Sequence, residues 1–229
     1  MVTPLLALPY EQTDEYRQKR AILNERAARF RAETGFEGSI SFDFQNMKFS
    51  DISGSFRDLV VTAPQDTVNM SNVFDRVFTK VNPFITAQNG HFIKGSTTWN
   101  GNISLVRYEQ VVNGYKVSGA GFITISYWSN TNRVTILDCT VDLPEVSAPI
   151  NITLDQAIRI AIQRYDPNYN YIPDNVLSHP RSRLVYCQIP DDEGTAIYRL
   201  CYMISFWGLT LYIDPSSGEI VHTRTLIID

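Results

Sequence analysis

Histidine is scarce in this chain of 229 residues, and the scarcity is informative. The three histidines are His91, His179 and His222, and no His-Glu-x-x-His occurs. Zinc peptidases of that type need two histidines four apart on one helix face, so this metal chemistry is excluded. Cysteine is equally sparse. Cys139, Cys187 and Cys201 show no C-x-x-C spacing and have no histidine near them in sequence, which argues against a metal site. A Cys187–Cys201 cross-strand bridge is one reading, and three buried thiols acting as small hydrophobes is the other. No apolar run reaches the ~18–20 residues that a spanning helix needs. A formal charge of -4 gives no basic surface for nucleic acid or anionic lipid. Neither a G-x-S-x-G elbow nor a phosphate-binding glycine loop at a strand-to-helix junction is present. The expectation is therefore no catalytic residue, no cofactor and no metal. Residues 1–8 are apolar but lack a basic start and a small-residue cleavage pattern, so they do not read as a signal peptide.

What the chain does have is sheet-forming material, with 12 Phe, 12 Tyr and 3 Trp. Residues 10–34 read as a helix: Tyr16, Leu23, Ala27 and Phe30 form a narrow apolar stripe, acids precede basics along it, and Gly35 suits its C-terminal cap. Ile40, Phe42 and Phe44 alternate with polar residues as in a half-buried strand. Phe56, Leu59 and Val61 suggest a second extended piece. Ser71 is the expected cap of a second helix whose buried face carries Val73, Phe74, Val77, Phe78 and Val81, and Asn82-Pro83 ends it. Asn89-Gly90 is an expected turn. Residues 91–99 and 102–112 read as strands. Asn113-Gly114 is a strong two-residue hairpin signal, since both positions of a type I′ turn need positive φ. A return strand follows from Tyr115 past Gly119 and Gly121. Alternation continues to Tyr127, and a turn at 129–132 leads into a strand at 133–140.

Residues 142–150 read as a linker. Thr153 and Gln156 then form a capping box, with Leu154, Ala157, Ile158, Ala161 and Ile162 on the buried face of a helix. A tyrosine- and proline-rich stretch at 167–180 precedes strands at 183–189, 196–206, 209–213 and 219–228. The fold class expected is α+β, in two consecutive modules at 1–145 and 146–229. Each is expected to be an antiparallel sheet with a packed helix.

The run Tyr108-x-Gln110-x-x-Asn113-Gly114-x-x-Val117-x-Gly119-Ala120 resembles the signature of the FTP module, found in propeptides of thermolysin-like and fungalysin-like metallopeptidases. Four later stretches resemble the PepSY module of the same prosegments: the helix at 153–161, Leu-Val-Tyr at 184–186, Tyr-Arg-Leu-x-Tyr at 198–202, and the segment 211–221. The likeness spans about residues 103–221, and the first helix and strands look like an addition. The resemblance implies that Tyr108, Gln110, Asn113, Gly114 and Gly119 shape a hairpin. It implies a secreted or cell-envelope protein, with its leader absent from this sequence, that binds a thermolysin-like metallopeptidase, inhibiting it or assisting its folding. With the zinc motif missing, the chain is expected to be a free-standing prosegment-like protein or one cut from a longer precursor. An envelope interaction or regulatory module without a peptidase partner is the alternative. Candidate contacts are Trp128, Tyr169, Tyr171 and Trp207, as aromatics suited to binding hot spots, and the apolar end Ile227, Ile228 and Asp229. Completing the sheet is the competing role for that end. Asp191, Asp192 and Glu193 read as a solvated turn, and the Asn-x-Ser/Thr sites at Asn69, Asn102 and Asn151 matter only if the source glycosylates secreted proteins.

Overall fold

The structure, a computed structural model, describes residues 10–85, 90–143, 149–165, 182–190, 196–206 and 208–225. The fold is α+β, with three α-helices and a mixed sheet. The described residues divide into two compact units, one of residues 10–85, 93–109 and 122–140, the other of the remainder.

In the first unit, helix α1 spans Asp14–Thr34. Only Leu23, Ala27, Phe30 and Thr34 are buried, a 4-3-4 spacing that lines one face. The expected start at Tyr10 is corrected. Tyr10–Gln12 is a separate 3-10 turn, because the Thr13 hydroxyl donates to the Tyr10 carbonyl (2.7 Å) and accepts the Tyr16 amide (3.2 Å). That hydroxyl is the helix cap. Gly35 closes the helix in the left-handed region (φ 67°), where glycine is favoured.

Strand β1 (Phe36–Asp43) pairs antiparallel with β2 (Lys48–Phe56). Here the extended piece expected around Phe56 to Val61 is displaced: the strand ends at Phe56. The Asp43 carboxylate accepts the Gln45 and Asn46 amides at 3.0 Å each, making the tight turn that starts the return early. Phe30 sits over this pair, with ring centroids 5.3 Å from Phe36, 5.8 Å from Phe49 and 6.3 Å from Phe56.

Helix α2 (Thr67–Val81) starts before Ser71. Its cap is Asp66, whose carboxylate accepts the Val68 and Asn69 amides at 2.9 and 3.1 Å. A carboxylate there also meets the positive end of the helix dipole. The Ser71 hydroxyl instead accepts from Lys94 Nζ at 2.6 Å. A 3-10 turn at Asn82–Phe84 follows.

The strand expected over 91–99 is two strands, β3 (His91–Lys94) and β4 (Thr98–Asn100), each paired with β5 (Ile103–Val112). Strands β7 (Phe122–Trp128) and β8 (Arg133–Asp138) complete the first unit's sheet in the order β1-β2-β8-β7-β5. A buried ion pair joins its strands. Lys48 Nζ lies 3.6 Å from the Asp138 carboxylate and donates to the Asp138 and Thr140 carbonyls at 3.2 and 2.6 Å.

The second unit is a sheet of β6 (Tyr115–Ser118), β9 (Arg183–Pro190), β10 (Ala196–Phe206), β11 (Leu209–Ile213) and β12 (Ile220–Thr225), in that order. One pairing departs from the antiparallel expectation: Val117 and Ser118 lie parallel to Tyr186 and Cys187. Helix α3 (Leu154–Tyr165) opens with the capping box. Gln156 Oε1 accepts the Thr153 amide (2.7 Å) and Thr153 Oγ1 accepts the Gln156 amide (3.2 Å). Its stripe of Ala157, Ile158, Ala161 and Ile162 packs on Tyr202, Ile204, Leu211 and Ile213. On the opposite sheet face, Val185, Cys187, Ile189, Cys201, Met203 and Tyr212 form a second core. All three cysteines are free. Cys187 faces Arg199 and Cys201 faces Val185, so the two thiols are diagonal neighbours rather than a directly opposed pair. The hydrogen bond with Cys201, followed by burial, pushes the Cys187 thiol above its ordinary range.

The Asp214 carboxylate organises the turn after β11. It accepts the Ser216 and Ser217 amides at 2.8 and 3.0 Å and pairs with Arg199 at 3.1 Å. Burial alone would raise its pKa, but the hydrogen bond from the Ser216 hydroxyl, the two amides and the arginine hold it below the usual carboxylate range.

Candidate protein-binding surface

The hairpin signature can be followed atom by atom. Tyr108 is buried in the first unit, its ring stacked on Phe78 at 4.1 Å and its hydroxyl donating to Asp75 at 2.9 Å. Burial first, then the hydrogen bond to Asp75 and its charge, push its pKa far above the ordinary phenol value. Asp75 also pairs with Lys94 at 2.7 Å. In the second unit, Gln110 acts as a side-chain substitute for a strand. Its Nε2 donates to the Val141 carbonyl (2.8 Å) and its Oε1 accepts the Val141 amide (3.1 Å). Asn113 and Gly114 both take positive φ, 52° and 82°, and Val112 directly faces Tyr115 across the turn. Asn113 Nδ2 donates to the Tyr186 hydroxyl at 3.0 Å.

The return strand departs from expectation after Ser118. Gly119 (φ 84°) and Gly121 (φ 68°) interrupt it, and the Gly121 carbonyl accepts the Gln110 amide at 2.7 Å. A Cβ on Gly121 would lie 2.4 Å from Val117 Cβ, so the close approach requires glycine. A Cβ on Gly114 meets nothing within 4 Å. Gly114→Val therefore tests the backbone alone. Forcing positive φ on a β-branched residue is expected to cost about 1–3 kcal/mol in denaturant unfolding. Unchanged stability would contradict the turn's demand for glycine.

Trp128 leads to a surface. In the first unit, α1 through Phe30 and α2 through Phe78 pack on one face of the sheet, on which Ile52, Val106, Ile123, Ile125, Val134 and Ile136 are buried. Side chains alternate along each strand, so their neighbours point to the other face. There Leu105 on β5, Trp128 on β7 and Leu137 on β8 are exposed at 36%, 38% and 42%. Leu105 faces Ser126 and Trp128 faces Ile103, so leucine and tryptophan are diagonal neighbours. Leu137 faces Thr124, which faces Arg107. The Arg107 guanidinium lies 3.7 Å over the Phe122 ring. Among the described residues of this unit, no helix covers that face. It carries these apolar and aromatic side chains among Thr124, Ser126, Thr135, Arg107 and Arg133.

The other candidates, Tyr169, Tyr171, Trp207, Ile227, Ile228 and Asp229, lie outside the described residues, as do Asn89 of the expected Asn89-Gly90 turn and the carboxylates at 191–193. Leu105 and Leu137 were not singled out from sequence. The signal that could have found them is an apolar residue on the polar phase of an alternating strand. Among the described residues, no group of three or more His, Cys, Asp or Glu could hold a metal ion. Among the described residues, no helix is long and apolar enough to cross a membrane.

No family model matches the chain, and no curated protein matches it. Among solved structures, the C-terminal domain of Bacillus megaterium YpeB aligns with a TM-score of 0.39 and 9% identity, over 90% of this chain and 96% of that one.

Proposed function

We propose that this protein is a non-catalytic, prosegment-like binding protein. Its partner on this reading is a metallopeptidase of the thermolysin-like class, which it inhibits or helps to fold, outside the cell or in its envelope. The observation that carries the reading is the uncovered sheet face of Leu105, Trp128 and Leu137. Large apolar side chains held on a rigid sheet bury area on contact at little cost in ordering. The FTP-like and PepSY-like motifs support the choice of partner, with modules meeting near residue 145. On the same reading the signature residues Tyr108, Gln110, Asn113, Gly114 and Gly119 serve the hairpin and make no contact with the partner. Buried hydrogen bonds from Tyr108 and Gln110 support that division.

The test is inhibition of a panel of thermolysin-like peptidases by the full chain and by a chain ending at Arg224. Slowing of at least one peptidase at micromolar concentration is expected. Equal inhibition by both chains assigns the work to the folded surface, and loss in the shorter chain assigns it to residues 225–229. If no peptidase is slowed, the envelope-module reading replaces this one.

A further inference from the structure

Strand β12 ends the second unit's sheet. Strand β11 holds one edge, and among the described residues no strand pairs with the other. The outer edge therefore presents backbone N–H and C=O groups to an added strand. Beside it, between β12 and the last turns of α3, runs an open groove of about 560 Å³. Ile160 and Ile220 are its apolar lining, and Gln163, Arg164 and Thr223 supply its polar groups. Gly218 completes the lining. A Cβ there would come 3.1 Å from Ile160 Cδ1, so glycine keeps that end of the groove clear. Arg164 is exposed and has no carboxylate partner among the described residues, whereas Arg199 of the same unit is committed to Asp214.

A free strand edge next to a helix-walled groove is the arrangement in which extended peptides bind by strand addition. Main-chain hydrogen bonds hold such a peptide, and alternate side chains enter the groove. Here one alternate side chain meets the isoleucines and the next meets the exposed Arg164 guanidinium. We propose that the β12 edge and the α3 groove bind an extended acidic peptide segment as an added strand. In that complex an apolar side chain packs on Ile160 and Ile220, and a Glu or Asp pairs with Arg164. The inference rests on the reading that this chain binds proteins, and it names a site distinct from the sheet face of the first unit.

The probe is an end-blocked peptide of about seven alternating threonines and valines with one central glutamate. Two controls are its glutamine counterpart and a form with alternate amides N-methylated. Each is titrated into the full chain and followed by amide NMR shifts. The glutamate peptide is expected to saturate, with the largest shifts in β12, Gly218 and the last turn of α3. The glutamine peptide should bind about tenfold more weakly, and the N-methylated form should not bind. Arg164→Gln, at an exposed helix position that preserves the fold, should weaken the glutamate peptide about tenfold and leave the glutamine peptide unchanged. Equal affinity for glutamate and glutamine, shifts centred elsewhere, undiminished binding of the N-methylated form, or no saturation at millimolar concentration would each overturn the proposal. Concentration-dependent shifts at β12 without peptide would also overturn it, in favour of a second copy on that edge. Peptide binding in a protein that inhibits no peptidase supports the groove and removes only the peptidase partner. Inhibition without peptide binding removes the groove and leaves the peptidase partner.

Discussion

Phe30→Ala is expected to destabilise the first unit by about 3–5 kcal/mol, the usual range for deleting a fully buried aromatic ring. Phe30 has no exposure, and besides its contacts with the strand pair its ring centroid lies 5.1 Å from that of Phe84, just beyond α2. One side chain thus connects α1, the β1–β2 pair and the end of α2. The stripe around it is narrow. Leu23, Ala27 and Thr34 are its only fellow buried residues on the helix, so no neighbour of similar size takes over its contacts. The outer face adds little, because ion pairs such as Arg17–Asp14 and Arg29–Glu33 are solvent-exposed and weak. A fall in melting temperature of roughly 6–20 °C is the expected readout, at about 2–4 °C per kcal/mol for a chain of this size. A loss below about 0.5 kcal/mol would mean that α1 is not anchored through this ring.

Asp138→Ala is expected to cost about as much, for an electrostatic reason. Side chains of Lys48 and Asp138 are only 8% and 7% exposed. Truncating the carboxylate leaves an ammonium away from water with two carbonyls and no counter-charge, and breaking a buried pair in this way costs about 3–5 kcal/mol. It also frees the Thr140 amide and hydroxyl, which donate to the Asp138 carboxylate at 2.8 and 2.6 Å. Removing both charges should be milder. The double variant Lys48→Met with Asp138→Asn is expected to be more stable than Asp138→Ala alone, because no unpaired ion remains. Urea unfolding of the wild type and the two variants checks the order, and a double variant no better than Asp138→Ala would contradict it.

The same residues explain what could be read from sequence. Elements with strong local chemistry were legible: the Thr153–Gln156 box, the Gly35 cap and the Asn113-Gly114 turn each act through neighbouring atoms. Strand β2 was not, because Gly54 stands in its core phase and a register shift beside Ser41 and Phe42 puts Phe49 on the Phe30 face out of step with Ile52, while the neighbouring Lys48 is a buried charge. Only contact with Asp138 and Thr140, some ninety residues away, makes a buried lysine acceptable there. Asp66 was overlooked as a cap because Ser71 stands nearer the apolar run, yet Ser71 is occupied by Lys94 from a distant strand. The parallel β6–β9 pairing depends on contacts across about seventy residues and leaves no local trace. For the candidate surface, Trp128 is legible as an aromatic, whereas the exposure of Leu105 and Leu137 depends on the helices occupying the opposite face.

The most direct test of the binding account is a titration of the inhibited peptidase with the wild-type chain and with Leu137→Glu. The substitution puts a charge in the middle of the open face at an exposed position, so thermal unfolding should be unchanged. The account predicts micromolar inhibition by the wild type and at least about tenfold weaker inhibition by the variant, or about 1.4 kcal/mol in binding. Equal inhibition by the two proteins would contradict the assignment of this face as the binding surface, and no inhibition by the wild type would contradict the peptidase partner itself.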